Sequence, residues 1–208
     1  MRRLNVFLTI CIFAIIISYA QSFITNDKGE INGHEYVDLG LSVKWATCNM
    51  GAVLPSDYGD YYAWGEITPK INFLENNKVL LPKKLFKVSG NPKYDAARAN
   101  WGSTWRLPTR KELRELVKKC RWVLSTLNGH KGYKIIGPNG NHIFIPFAGY
   151  RFDRSLYFQE EYGFIWGEVA NTRDRDVAYS LGMSIHFNEV EPGWTFRYHG
   201  RSIRPVIE

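Results

Sequence analysis

Glycine and proline cut this chain into short pieces, and that punctuation limits its fold more than any other feature. The 208 residues include 18 glycines and 9 prolines. They fall between apolar runs too short for helices, which instead read as strands. Leu41-Ser42-Val43-Lys44-Trp45-Ala46 alternates, with Leu41, Val43 and Trp45 on one side and Ser42 and Lys44 on the other. Glu35 to Leu39, ended by a turn at Gly40, precedes it. Asn49 to Gly59 is turn-rich, and Tyr61-Tyr62-Ala63-Trp64 reads as an aromatic strand. Tyr133 to Ile136 and His142 to Pro146 flank a Pro138-Asn139-Gly140 turn and read as a hairpin, continued by Phe147 to Tyr150. Further strands are expected at 164–166, 178–181, 184–187, 195–198 and 202–206.

Two helices interrupt this pattern. A short one is expected over about 94–100, opened by Pro92 and Asp95 and ended by Trp101-Gly102. A longer one starts at Thr109-Arg110-Lys111-Glu112, a capping box in which the Thr109 hydroxyl takes a backbone N–H and Glu112 reaches back. Leu113, Leu116, Val117 and Cys120 then recur at helical spacing. Residues 67–93 show no period, are broken by Pro69, Pro82 and Pro92, and read as a long, irregular, mobile insertion. Few helices, many short strands and much loop define an α+β chain.

The N-terminus reads as an export signal, so the chain is expected to work outside the cytoplasm. Arg2 and Arg3 precede an apolar core from Val6 to Ser18, and Ser18-Tyr19-Ala20 supplies small residues before a cut ahead of Gln21. This core is shorter than the ~20 residues that span a bilayer as a helix. Residues 1–20 are therefore expected to be a signal peptide, 21–33 a polar lead-in, and 34–208 one domain. An uncleaved anchor is the alternative. Residue Ile10 before Cys11 argues against lipidation. No later run reaches membrane-spanning length, so the mature chain is expected to carry no transmembrane helix and to reside in the periplasm, at the outer surface or in the medium.

The formal net charge is +7, of which Arg2 and Arg3 leave with the signal. The excess gathers at Lys78, Lys83, Lys84, Lys87 and Lys93, and again at Arg106, Arg110, Lys111, Arg114, Lys118, Lys119 and Arg121. A solvated loop and an exposed helix face account for these better than nucleic acid, which is not an expected partner. An acidic glycan or anionic membrane surface fits the expected compartment better than DNA. Cys48 and Cys120 remain after cleavage. In an oxidising compartment they either pair, closing a loop of about 72 residues worth up to about 4 kcal/mol, or stay separately buried thiols. The five histidines show no ligand spacing, so no metal or cofactor is expected.

Several blocks resemble one family. Residues 37–49 (Val-Asp-Leu-Gly-Leu-Ser-Val-Lys-Trp-Ala-Thr-Cys-Asn), 58–66 (Tyr-Gly-Asp-Tyr-Tyr-Ala-Trp-Gly-Glu), 95–97 and 101–109 (Trp-Gly-Ser-Thr-Trp-Arg-Leu-Pro-Thr) resemble the Fibrobacter succinogenes major paralogous domain. So do 147–151 and 200–206 (Gly-Arg-Ser-Ile-Arg-Pro-Val). The resemblance covers about 36–206 and departs after Tyr162, where Phe164-Ile165-Trp166-Gly167-Glu168 replaces the usual aromatic-then-serine run. It implies exported proteins of Bacteroidetes and related bacteria. It also implies a C-type-lectin-like fold of short twisted antiparallel strands with two helices and long loops, in which first and last strands pair. Trp105, Arg106, Pro108, Thr109, Glu112, Arg201 and Arg204 belong to its structural motifs.

Calcium-dependent lectins of that fold use Glu-Pro-Asn or Gln-Pro-Asp with a Trp-Asn-Asp partner. Here Glu191-Pro192-Gly193 lacks the third oxygen ligand and reads as a turn. The resemblance implies that enzymes of the fold carry paired cysteines in the C-terminal half, and Cys48 and Cys120 do not form such a pair there. Paired-carboxylate hydrolysis would fall to Asp60 and Glu66; a structural role for both is the simpler expectation. Arg106, Arg201 and Arg204 are expected to bury their stems and pair with a carboxylate such as Asp38, Asp60 or Glu66. Trp45, Trp64, Trp101 and Trp105 read as core. Tyr157, Phe158, Trp194 and Tyr198, near loops and strand ends, are the ligand-binding candidates, either as exposed rings or as a small core under the loops. The expected function is non-catalytic recognition of a glycan or cell-surface protein. A polysaccharide-acting enzyme and a structural envelope subunit are the alternatives.

Overall fold

The computed structural model describes residues 28–82, 85–186 and 189–208. The signal peptide, the start of the lead-in and Phe187 lie outside the described residues. The elements run β1 (Lys28–Ile31), β2 (His34–Val37), β3 (Lys44–Ala46), α1 (Ala96–Trp101), α2 (Arg110–Lys119), β4 (Arg121–Leu127), β5 (His130–Ile136), β6 (His142–Pro146), β7 (Tyr150–Phe152), β8 (Ser155–Tyr157), β9 (Tyr162–Ala170), β10 (Val177–Ser184), β11 (Val190–Phe196) and β12 (Val206–Ile207), with a 3-10 turn at Glu75–Asn77. Mostly antiparallel sheets with two short helices make this a mixed α+β fold. The sheets have the orders β1-β2-β3-β12, β11-β10-β9, β4-β5-β6 and β7-β8. Among the described residues no helix is long and apolar enough to cross a membrane.

Local chemistry explains where the helices start and stop. The buried Asp95 carboxylate accepts from the N–H groups of Ala97 and Arg98, capping α1, and also from those of Gly90 and Leu107. Gly102, at φ 67°, ends that helix. The capping box of α2 forms as read: Glu112 N–H donates to Thr109 Oγ1 at 3.1 Å and Thr109 N–H donates to the Glu112 carboxylate at 2.8 Å. Leu113 and Leu116 are buried in the main core with Val37, Trp45, Tyr133, Ile135 and Leu181. Leu113 lies over Gly167, where a Cβ would crowd its methyl group, so α2 seats directly on β9.

A second core gathers Trp64, Trp105 and Trp166 against α1. Their indole N–H groups donate to the carbonyls of Gly167, Ile31 and Tyr62, as buried indoles require. Trp45 is buried too, and Trp101 is half-buried at the edge of the second core, against Trp105 at 5.1 Å and stacked on His34 at 3.8 Å.

The last segment joins these parts. Residues 200–207 are all buried. Gly200 bridges Arg151, Arg201 bridges Tyr62, Ser202 bridges Ile165 and Val206 bridges Arg106, while β12 pairs with β3. Buried backbone groups must find partners, and this strand finds them in almost every neighbouring element.

Several expectations need correction. Residues 61–64 form only a bridge at Tyr62 rather than a strand. Glu191-Pro192-Gly193 is not a turn: it runs within β11, with Pro192 opposite Leu181. The sheet order makes β11 an edge strand, where proline is tolerated. Among the described residues of this stretch, 67–82 and 85–93 are irregular but anchored, because Phe73 and Val88 are fully buried and Phe73 exchanges two backbone hydrogen bonds with Asp153. Strand β4, unexpected from sequence, pairs with β5 across Asn128-Gly129, both at positive φ.

Candidate functional site

Strand pairing gathers aromatic side chains into a continuous belt. In the β7-β8 hairpin Tyr150 lies directly opposite Tyr157, and the rings stack at 5.5 Å. Gly149, at φ 66°, starts the hairpin, and a Cβ there would collide with the Tyr157 carbonyl. The bridge between Arg151 and Gly200 brings His199 against the other side of Tyr150, at 5.1 Å. His199 in turn touches Phe152, Phe196 and Tyr198, and Phe158 completes the belt beyond Tyr157. Its edge is open: Phe152 is 37% exposed, Tyr157 38%, Phe196 47% and Phe158 49%.

The backbone holds Phe158 outward at a cost. Its φ is 55°, a left-handed conformation rare for a bulky residue. Tyr162 N–H donates to the Phe158 carbonyl at 2.9 Å. Glu160, in the same turn, accepts from the Tyr58 hydroxyl and from Lys131 N–H and lies 3.2 Å from His130 Nδ1. Burial alone would raise the Glu160 carboxyl, but Tyr58, Lys131 and His130 outweigh it and hold it below the usual range. Phe158 is thereby tied to the β4-β5 turn.

Arg201 floors the belt. Its guanidinium carbon lies 4.0 Å from the Phe164 ring centre and also faces Tyr150 and Trp166. Arg201 donates to Thr195 Oγ1 at 2.6 Å and to Ser180 Oγ at 3.4 Å, and its Nε has no partner among the described residues. Burial pushes it down to about 9. Burial, with the Arg201 charge beside it, pushes His199 down to about 4, so the ring at the centre of the belt is neutral at pH 7.

Of the four expected binding residues, Tyr157, Phe158 and Tyr198 meet in this belt, and Trp194 does not. Thr195 bonds Arg201 beneath the belt, and neighbouring strand residues point to opposite faces. Trp194, 41% exposed, accordingly lies on the other face, 5.2 Å from Tyr179 and 5.5 Å from the Arg110 guanidinium. Tyr150, Phe152, Phe196 and His199 were missed. The period-2 aromatic pairs 150/152 and 196/198 were the available signal.

The arginines depart from expectation in their partners. Arg106 pairs with Glu112 through two hydrogen bonds of 2.8 and 2.9 Å. Arg204 has no carboxylate: it donates to Asn49 Oδ1 and to the carbonyls of Ala46, Thr47 and Phe144. None of the three meets Asp38, Asp60 or Glu66. Arg106 takes the Glu112 carboxylate, Arg201 takes side-chain hydroxyls, and for Arg204 backbone carbonyls and the Asn49 amide oxygen supply the acceptors. Of the carboxylates considered for hydrolysis, Glu66 accepts from Lys70 Nζ and Val79 N–H, and Asp60 lies against Gly51. Cys48 and Cys120 are free and do not bridge: Cys48 Sγ faces the Val53 carbonyl, while Cys120 packs on the main core. Among the described residues no group of three or more His, Cys, Asp or Glu side chains could hold a metal ion.

Fold and site together define a small antiparallel α+β protein with an exposed aromatic belt at one end. Comparison of the chain with family models, curated proteins and solved structures finds no match.

Proposed function

We propose that the chain is an exported, non-catalytic recognition module of C-type-lectin-like fold that binds a glycan or cell-surface protein through the aromatic belt. The observation that carries this reading is the belt itself: rings a third to a half exposed, held outward by a strained turn and packed on a buried cation. Aromatic side chains offer large contact area at low conformational cost, and water-exposed rings in one patch mark interaction surfaces. The family resemblance supports the finer fold and the export, and the pairing of an early strand, β3, with the last, β12, and the position of the two helices between early and late strands support the fold.

The test is a glycan-array screen of residues 21–208, with calcium and with chelator, beside the Tyr157→Ala/Phe158→Ala double variant. We expect binding to neutral glycans that survives chelation and falls at least tenfold in the variant. If the folded protein binds no glycan but retains one envelope protein through the belt, the ligand is that protein. If the variant changes neither, the belt is only the lid of a small core and the reading falls.

A further inference from the structure

The exposed face of α2 carries cations that the scaffold does not use. The helix contains five cationic and two acidic side chains. Both acids are committed elsewhere: Glu112 to Arg106 and the cap, Glu115 to Ser42 and Lys119. Arg110, Lys111, Arg114 and Lys118 are left without a carboxylate partner among the described residues. Arg110, Arg114 and Lys118 repeat every fourth residue, so they rise along one line about 6 Å apart. Like charges at that spacing cost a helix stability, and among the described residues no carboxylate pairs with them.

A second observation singles out this stripe. Arg110 places its guanidinium 4.9 Å from the Tyr179 ring centre and 5.5 Å from that of Trp194. Arg114 Nε donates to the Tyr179 hydroxyl at 3.2 Å. An exposed indole therefore continues the line of cations onto β11. The surface is concave: an open groove of about 1000 Å³ follows the helix from Arg106 to Lys119, and a hollow at Arg114, Lys118 and Pro192 adjoins it. The remaining acids of the groove, Glu168 and Glu208, gather with Glu112 near Arg106. The hollow also includes the exposed Glu191.

We propose that this face binds an acidic polysaccharide, with Arg110, Lys111, Arg114 and Lys118 meeting successive carboxylate or sulfate groups and Trp194 stacking on a sugar ring. A linear polyanion matches a straight row of cations in a groove. The exposed indole at the end of the row favours a sugar ring over a bilayer, and the vesicle arm below separates the two. The proposal concerns a surface separate from the aromatic belt and does not depend on it.

The probes are sodium polygalacturonate for carboxylates, dextran sulfate for sulfates and neutral dextran as control, titrated against residues 21–208 at several salt concentrations. We expect at least one anionic polymer to bind, with affinity falling as salt screens the contacts, and neutral dextran not to bind. Lys111→Gln/Lys118→Gln, both exposed positions, should weaken binding at least tenfold and flatten its salt dependence. Trp194→Ala should weaken it about fivefold and leave the salt dependence unchanged. The Tyr157→Ala/Phe158→Ala variant should bind normally, which separates failure here from failure of the belt. Unchanged urea midpoints establish that the variants fold. Failure of the unmodified protein to bind either anionic polymer overturns the proposal, as does undiminished binding by the folded Lys111→Gln/Lys118→Gln variant. So does equal binding of phosphatidylserine vesicles or single-stranded DNA with Trp194→Ala inert, which would mark a non-specific polyanion surface.

Discussion

Arg204 is fully buried, and neutral oxygens take the place of a counter-ion. Four acceptors from three parts of the chain converge on its guanidinium: the end of β3, Asn49, and Phe144 in β6. Burial lowers it to about 10, still charged at pH 7. Planar, fixed donors suit this geometry, and a lysine ammonium cannot reach all four oxygens. Arg204→Ala should therefore destabilise by at least about 3 kcal/mol, since it strands several buried acceptors, and Arg204→Lys should recover less than half of that loss. Urea unfolding of both variants checks this; a lysine variant as stable as the parent would mean that charge alone matters. The sequence showed that these arginines stand among apolar neighbours. It could not show that the partners of Arg204 are mostly backbone carbonyls, because carbonyls are present at every position and only the fold selects which are left unpaired.

Helix α2 was the most legible element, since its start is written in side chains. Thr109 and Glu112 are three residues apart and form the expected reciprocal cap. Its end was not legible: the C-cap, Cys120, is extended, with neither glycine nor proline to signal a stop. For that reason the following apolar run went unread as β4. Glu191-Pro192-Gly193 misled in the opposite sense, because the rule that proline and glycine make turns yields at a sheet edge. The cap also sets a pH dependence. Burial would raise the Glu112 carboxyl, but the Arg106 and Thr109 hydrogen bonds and the Arg106 charge bring it below its usual value. A carboxyl with a lowered folded-state pKa adds stability that is complete above its unfolded value, near 4.3, and fades as pH falls through the folded one. Glu112→Gln should cost about 2 kcal/mol at pH 7, and the gap between variant and parent should close below about pH 4. A gap that stays constant down to pH 3 would mean that Glu112 acts through packing rather than charge.

Across the whole molecule, contacts between distant segments decide what local patterns leave open. Tyr157, Phe158 and Tyr198 were legible as aromatic residues near loops; the belt was not, since it forms only when the bridge between Arg151 and Gly200 brings 150–158 beside 196–199. The same junction governs residues 67–93, whose missing period suggested mobility. Phe73 fills the space over Gly200, where a Cβ would strike its ring, and its backbone holds Asp153 in the β7-β8 turn. One buried ring thus fastens the irregular segment, the belt hairpin and the C-terminal strand together. Phe73→Ala should cost about 3–5 kcal/mol, as expected for removing a fully buried phenylalanine. The loss should fall mainly on local opening of this junction. Trypsin should then cleave at Lys70 and Lys78 at least tenfold faster than in the parent, while the urea transition keeps its slope. The belt should weaken with it, so ligand affinity should drop although no belt residue has changed. Faster cleavage with undiminished affinity would separate the segment from the belt and leave Phe73 as a packing residue alone.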